Sequence, residues 1–282
     1  MKSPLVTITI PTFNSAETIE RCLSAIESQK YKNLEVIIID GGSKDSTVAV
    51  AKKYGVICKI FPGSLLSARY EGVKMANGKY TLIFDSDQIL GKDAIKNAVE
   101  MAERNRVDMF VFEEDVYSKK TFIEKLFACD RKLINSVNDL SPFTGTIMPR
   151  FFNTKFLKKA YGNIPSKYFL NTGGPDHAIV YYEAFKLSNK VGIVKDAVKH
   201  LEPSSLFLLL KKFYRWGYTS VEAYHGRYGK LMSRKERFRT GLFSKGLIKE
   251  SVGSIFLLIL KGLSFKFGYY IGILDKRLGV VR

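Results

Sequence analysis

The chain opens on an unbroken β-branched run, residues 5–10 (LVTITI), stopped by Pro11. That pattern predicts a buried strand. Ile19, Cys22, Leu23 and Ile26 then recur at helical spacing, which predicts a helix over 16–29 with Ser15 as its cap. Residues 34–40 (LEVIIID) predict a second strand so apolar that both its faces must be covered. After a Gly41-Gly42-Ser43 turn come a helix over 45–54, a short strand at 56–60, and a helix over 65–76 stopped by Asn77-Gly78. A strand at 80–85 (YTLIFD), a helix over 92–104 and a strand at 108–113 follow. Strand and helix alternate with short connections, so the expected fold is α/β, a Rossmann-like, mostly parallel sheet flanked by helices. Such sheets bind ligands beyond the carboxyl ends of their strands, at 11–14, 40–43 and 85–87 here.

The pattern loosens over 114–200, where a helix at 119–135, a loop at 173–176, a helix at 176–187 and a strand at 191–194 are predicted. From 204 onward it changes character. Basic helices are expected at 204–228 and 233–250, followed by uncharged runs at 251–260 and 267–274 interrupted by Lys261 and Lys266. The 24 residues of 251–274 exceed the ~20 a membrane crossing needs. Two central lysines would each cost roughly 2.5–3.5 kcal/mol, and four glycines weaken a single straight helix. Two shorter helices lying in a membrane interface, their lysines snorkelling outward, are therefore the expectation, with packing against the soluble domain as the alternative. The chain divides accordingly into an α/β domain over 1–203 and a basic, hydrophobic helical extension over 204–282.

Composition supports this division. Of 282 residues 46% are hydrophobic and 26% charged, which excludes a disordered or collagen-like chain. The formal charge of +18 is uneven: residues 1–200 hold 29 Lys and Arg against 22 Asp and Glu, residues 201–282 hold 16 against 5. The extension interleaves Lys211, Lys212, Arg215, Trp216, Arg227, Lys230, Arg234, Lys235, Arg237 and Arg239 with Phe213, Tyr214, Tyr218, Tyr224 and Tyr228. Basic and aromatic residues together suit single-stranded nucleic acid. The apolar tail favours an anionic membrane surface instead, and no nucleic-acid partner is expected. Cys22, Cys58 and Cys129 form no CxxC pair, which fits a reducing compartment, and Met1-Lys2-Ser3-Pro4 runs straight into a strand with no secretory signal. The expected location is cytoplasmic, peripheral on the cytoplasmic face of the cell membrane.

Candidate chemistry begins with Asp85-Ser86-Asp87, two carboxylates at a strand end. Hard oxygen ligands of this kind suit Mg²⁺ or Mn²⁺, unless the segment is simply a solvated turn. Asp40 precedes two glycines that admit close backbone approach, and its carboxylate could accept from a base or a ribose, or merely form the turn. Neither a P-loop nor a GxGxxG spacing is present. His177, His200 and His225 have no zinc-site spacing, and sequence adjacency alone does not put His177 on the same face as Asp176.

Together VTITIPTFN (6–14), EVIIIDGGSKDST (35–47), SARYEGVKMANGKYTLIFDSD (67–87) and, more loosely, GGPDHA (173–178) resemble the family 2 glycosyltransferases, which have the GT-A fold. The resemblance covers about the first 200 residues and identifies no sugar. It implies that Pro11, Thr12 and Asn14 line a nucleotide pocket, that Asp40 contacts the base and that Arg69 lies near the nucleotide. It further implies that Asp85 and Asp87 form a DxD motif, with Asp87 the metal ligand and Asp85 nearer the ribose, and that Asp176 is the catalytic base. The family often has Glu-Asp where this chain has Pro175-Asp176, and Asp176 could instead cap a helix. In related enzymes a histidine in the region of His200 can reach the metal or the diphosphate, with a hydrogen-bonded structural histidine as the alternative. Arg215-Trp216 resembles part of a QxxRW motif, but Lys212 replaces the glutamine, which argues against processive polymerisation. The implied activity is metal-dependent (Mn²⁺ or Mg²⁺), inverting transfer from a UDP- or GDP-sugar to a lipid-linked or glycan acceptor. Its rivals are transfer to a polyprenyl phosphate, which needs no base, a nucleotidyltransferase on a similar sheet, and a non-catalytic nucleotide-binding scaffold.

Overall fold

The computed structural model describes residues 3–137, 139–144, 147–238 and 246–279, with the backbone alone over 234–238. Eight strands form one sheet: β1 (Val6–Thr12), β2 (Leu34–Asp40), β3 (Ile57–Ile60), β4 (Tyr80–Ile83), β5 (Gln88–Leu90), β6 (Met109–Val116), β7 (Pro149–Asn153) and β8 (Val191–His200). Their order is β3-β2-β1-β4-β7-β6-β8-β5. Pairing is parallel from β3 through β4 and again between β6 and β8, but β7 runs antiparallel to both its neighbours and β5 antiparallel to β8. Six of the eight strands therefore run the same way, so the sheet is mostly parallel as expected, with β5 and β7 as antiparallel members. Both escape the sequence pattern because they are short.

Two helical layers cover the sheet. On one face α1 (Ala16–Glu27) and α4 (Ala94–Asn105) bury Ile19, Cys22, Leu23, Ile26, Ala98 and Val99 against Ile8, Ile10, Leu82 and Phe110. On the other, α3 (Leu65–Met75), α6 (Thr154–Gly162) and α8 (Asp176–Leu187) pack Leu66, Val73, Leu157 and Ile179 against Ile83, Met109 and Phe152. β1 is buried along its whole length, as its uninterrupted apolar run requires. Ser15 takes the cap position of α1 without capping it through its side chain. Asp45 does that instead, its Oδ2 accepting from the Ala16 N–H at 3.1 Å. The loop after β2, with α2 (Thr47–Lys53) beyond it, is thereby tied to the start of α1.

The expected basic segment over 204–228 becomes α9 (Leu206–Tyr218) and the short α10 (Val221–Tyr224). The expected helix over 233–250 is replaced by α11 (Gly229–Phe238), and its residues 239–245, Arg239 among them, lie outside the described residues. The last element differs more from expectation. In place of two short helices there is one, α12 (Ile248–Arg277), 30 residues or about 45 Å long. Its glycines do not break it because most are used for close packing. A Cβ at Gly268 would strike the Tyr214 carbonyl oxygen, one at Gly272 would sit 2.8 Å from that of Tyr218, and one at Gly253 2.8 Å from Cys129 Sγ. Ser264 donates to the Leu210 carbonyl, and Lys276 pairs with Glu222. α12 therefore lies parallel to α9 in a fixed register. Its first half rests on α5 (Phe122–Asn135), where Ser254 and Lys261 both bond Asp130. Leu209, Phe213 and Leu257 share a cluster with Val116, Ile123 and Phe127, which joins the extension to the α/β body.

Candidate functional site: an ion-pair network at the strand ends

The carboxyl ends of β1, β2 and β4 open into a cleft of about 1790 Å³. It exceeds the ~300–1,000 Å³ typical of a site for one small ligand, which leaves room for two substrates side by side. Pro11, Thr12, Asn14, Arg69, Asp85, Asp87, Asp176 and His200 all line it.

Asp40 stands behind this wall. It is fully buried, and its Oδ1 accepts from the Thr12 hydroxyl at 2.8 Å and the Ser43 hydroxyl at 2.6 Å. Oδ2 accepts from the Gly42 and Ser43 N–H groups at 2.9 and 2.7 Å. Burial pushes this carboxyl up, but the Ser43 hydroxyl and N–H, the Thr12 hydroxyl and the Gly42 N–H together hold it below the usual carboxylate range. In this state Asp40 shapes the loop and does not face the cleft. Asn14, at φ 48°, adopts the left-handed conformation that asparagine tolerates. Its side-chain carbonyl accepts from Lys44 N–H, and its own N–H donates to Ser43. The loops after β1 and β2 are thus one hydrogen-bonded unit.

On the other side of the cleft the charges form a continuous chain. Arg69, on α3 and 2% exposed, donates through Nε to Asp176 Oδ2 and through Nη2 to Asp85 Oδ1. Arg150, on β7, donates to Asp85 Oδ2 at 2.7 Å and to Glu114 Oε1 at 2.9 Å. Arg131 joins Glu114 to Glu202, at 2.8 Å each. Arg69 lines the cleft and bridges two carboxylates. Burial lowers the proton affinity of its guanidinium, but Asp85 and Asp176 more than offset this and raise it above the usual arginine value. Burial also pushes Asp85 up, but Arg69 and Arg150 hold it well below the usual range. The same balance puts Glu114 and Glu202 at about 2: burial is opposed chiefly by Arg150 and Arg131 for Glu114, and by His200 and Arg131 for Glu202.

Asp176 opens α8 as its first helical residue and caps nothing; Pro175 holds the cap position. One oxygen takes Arg69 and the other, Oδ1, has no protein donor among the described residues. The preceding Gly173-Gly174 lies against α9, where a Cβ at Gly174 would come 3.0 Å from that of Trp216. His177 turns away from Asp176 toward Asp85, its Nε2 2.7 Å from Arg150 Nη1 and 3.7 Å from Asp85 Oδ2. Arginine only donates, so Nε2 accepts and the proton sits on Nδ1. Burial, Arg69 and Arg150 all lower the proton affinity of this imidazole, which keeps it neutral.

Asp87 faces Lys212 Nζ at 3.3 Å and His200 Nε2 at 3.6 Å. Burial works against the Lys212 ammonium, but Asp87 and Glu202 more than compensate, so it stays charged. The three expected metal ligands do not form one group. Each Asp85 oxygen is held by an arginine, and among the described residues no cluster of three His, Cys, Asp or Glu side chains could hold an ion. Asp87 and His200 remain, a carboxylate and an imidazole facing each other without a hydrogen bond between them. Such a pair fits a divalent cation that takes its other ligands from substrate phosphates and water. Sequence reasoning missed Glu114, Arg131, Arg150 and Glu202. The available signal was a charge inside an apolar strand, as in MFVFEED and PRFF.

The glycosyl transferase family 2 model matches residues 7–170, more than half of the chain. An uncharacterised glycosyltransferase of Rickettsia prowazekii is 32% identical over 114 residues, 39% of this chain and 36% of that protein. The poly(ribitol-phosphate) β-N-acetylglucosaminyltransferase TarP of Staphylococcus aureus is 31% identical over 129 residues, 43% of this chain and 39% of that protein. The matches thus span little more than a third of these relatives' length. Among solved structures, S. aureus TarS superposes with a TM-score of 0.57 at 17% identity, over 85% of this chain and 44% of that one. The mannosyltransferase PcManGT of Pyrobaculum calidifontis, in complex with GDP-Man and Mn²⁺, superposes at 0.56 with 17% identity, over 99% and 81%. The chain belongs to glycosyl transferase family 2 and has the GT-A fold.

Proposed function

We propose that this protein transfers a sugar from a nucleoside-diphosphate sugar to an acceptor hydroxyl, with inversion. The observation that carries the reading is the Arg69 guanidinium, which ties Asp176 on one side to Asp85 of the DxD segment on the other. A general base and the donor-binding turn are thereby fixed to each other across the cleft. TarS has been solved with UDP-GlcNAc and PcManGT with GDP-Man and Mn²⁺, so nucleotide sugars are the donor class to test.

The nucleoside lies along the unit formed by the β1 and β2 loops, over Pro11, Thr12 and Asn14. Asp176 Oδ1 accepts the proton of the acceptor hydroxyl as its oxygen bonds to the anomeric carbon. The bond from that carbon to the diphosphate oxygen breaks on the opposite side, and the nucleoside diphosphate leaves. Lys212 and Arg150 put positive charge beside the departing phosphates. A divalent ion held by Asp87 and His200 would neutralise the same charge. General-base help of this kind is worth ~10²–10⁴-fold.

A thermal-shift panel of UDP, GDP, UDP-GlcNAc and GDP-Man, with and without Mn²⁺, tests the reading. One nucleotide class should stabilise the protein selectively, by ~2.7 kcal/mol at a hundred times its Kd. No stabilisation by any of the four would overturn it.

A further inference from the structure

The geometry points to the outer face of α12 as a docking surface for an anionic lipid bilayer, against which the helix lies flat. One side of α12 is consumed by packing, through Ser254, Leu257, Gly268 and Gly272. The other exposes large apolar side chains at steps of three and four residues, from Ile248 through Ile259, Leu263 and Phe267 to Leu274, between 50% and 79% exposed. The stripe runs the whole helix and widens sideways. Phe122 of α5 meets Phe256 with ring centroids 6.0 Å apart, and Tyr214 of α9 meets Phe267 at 5.8 Å. Leu206, Phe207 and Leu208 at the start of α9 are also exposed. Soluble surfaces rarely present so continuous an apolar strip unless something covers it.

Charge selects the occupant. α9 and α12 together carry eight Lys and Arg and only two acids, Glu250 and Asp275. Glu250 is spent on Lys132, and Asp275 is buried and accepts from Tyr218. Lys249, Lys266, Lys211 and Arg215 stand exposed beside the strip. A second copy of the chain would set these cations against their own kind, with no acid on either helix left to meet them. An anionic headgroup layer meets them, while the acyl boundary takes the side chains between. α12 is long and apolar enough to cross a bilayer, with a mean hydropathy of 1.4 over an 18-residue stretch. It nevertheless stays bonded to the body from Ser254 near its start to Lys276 at its end, so it lies against the membrane instead of entering it. Leu258, Phe265 and Lys266 of α12 also line the cleft, so the surface deepens the proposed function by bringing a lipid-linked acceptor to the base.

The test uses the full chain and phosphatidylcholine vesicles with and without phosphatidylglycerol. The wild-type protein should co-sediment with the anionic vesicles, increasingly so at low salt, and hydrogen exchange should slow on the outer face of α12. Replacing Ile259, Leu263 and Phe267 together by Glu should lower partitioning at least ~tenfold. Lys249→Glu with Lys266→Glu should erase the preference for anionic lipid. No wild-type binding would overturn the inference, as would unchanged binding by both variants, or a dimer that the triple variant dissociates while vesicle binding persists. Nucleotide stabilisation is measured on the same samples; its loss in the wild-type protein defeats the catalytic reading and leaves the surface standing.

Discussion

The cleft and the α9–α12 face are both rich in charge, and they treat it in opposite ways. In the cleft, Asp85, Glu114 and Glu202 are each held by arginines, buried in the case of Arg69 and half-buried in those of Arg150 and Arg131, and the pairs run on as one chain. On the α9–α12 face the exposed cations have no acid on either helix left to meet. Taking a charge out of water costs several kcal/mol unless a partner is supplied, so the cleft supplies its own partners and gains fixed geometry. The outer face keeps its charges solvated and available. Charge that is satisfied internally serves positioning; charge left over serves recognition.

Three experiments would break or sharpen this contrast. Asp176→Asn should have the largest effect, a loss of ~10²–10⁴-fold in turnover with nucleotide stabilisation and vesicle binding unchanged. Unchanged turnover would mean an acceptor that is already ionised, such as a lipid phosphate. Arg69→Leu leaves the buried Asp176 without its arginine and Asp85 with Arg150 alone, and should cost ~3–5 kcal/mol in urea unfolding, with Arg69→Lys milder. A cost below 1 kcal/mol would show that the network is not what holds the cleft together. Acid should act next. Glu114 and Glu202 at about 2 lie below the ordinary value of 4.5, so their stabilisation is present above pH ~4.5 and fades as the pH falls toward 2. Unfolding free energies from urea titrations should therefore drop between pH 5 and 3 by about a few kcal/mol at most, and Glu114→Gln should flatten that drop. An unchanged slope in Glu114→Gln would remove this residue from the account.

The apolar runs made β1, β2 and β4 legible and the 3.6-residue period made α1 legible, because a largely buried strand and a one-sided helix leave clear marks. β5 and β7 were not legible: three and five residues are too few for a period, and β7 begins with a proline. The cleft-lining positions 11, 12, 14, 85 and 87 were visible as strand ends and turn chemistry, and 176 only through the family resemblance. Their counter-ions were not, because Arg150 and Glu114 meet across non-adjacent segments that only the antiparallel β7 brings together. The single long α12 was misread because glycine lowers intrinsic helix propensity, and here close packing against α9 outweighs that loss.

The guanidinium of residue 69 gives the molecule a fixed ruler. Its planar fork sets how far apart the carboxylates of Asp176 and Asp85 stand. Under the proposed chemistry, loops elsewhere on the rim could be exchanged for a different acceptor without resetting that spacing, as long as the arginine and its two carboxylates travel together.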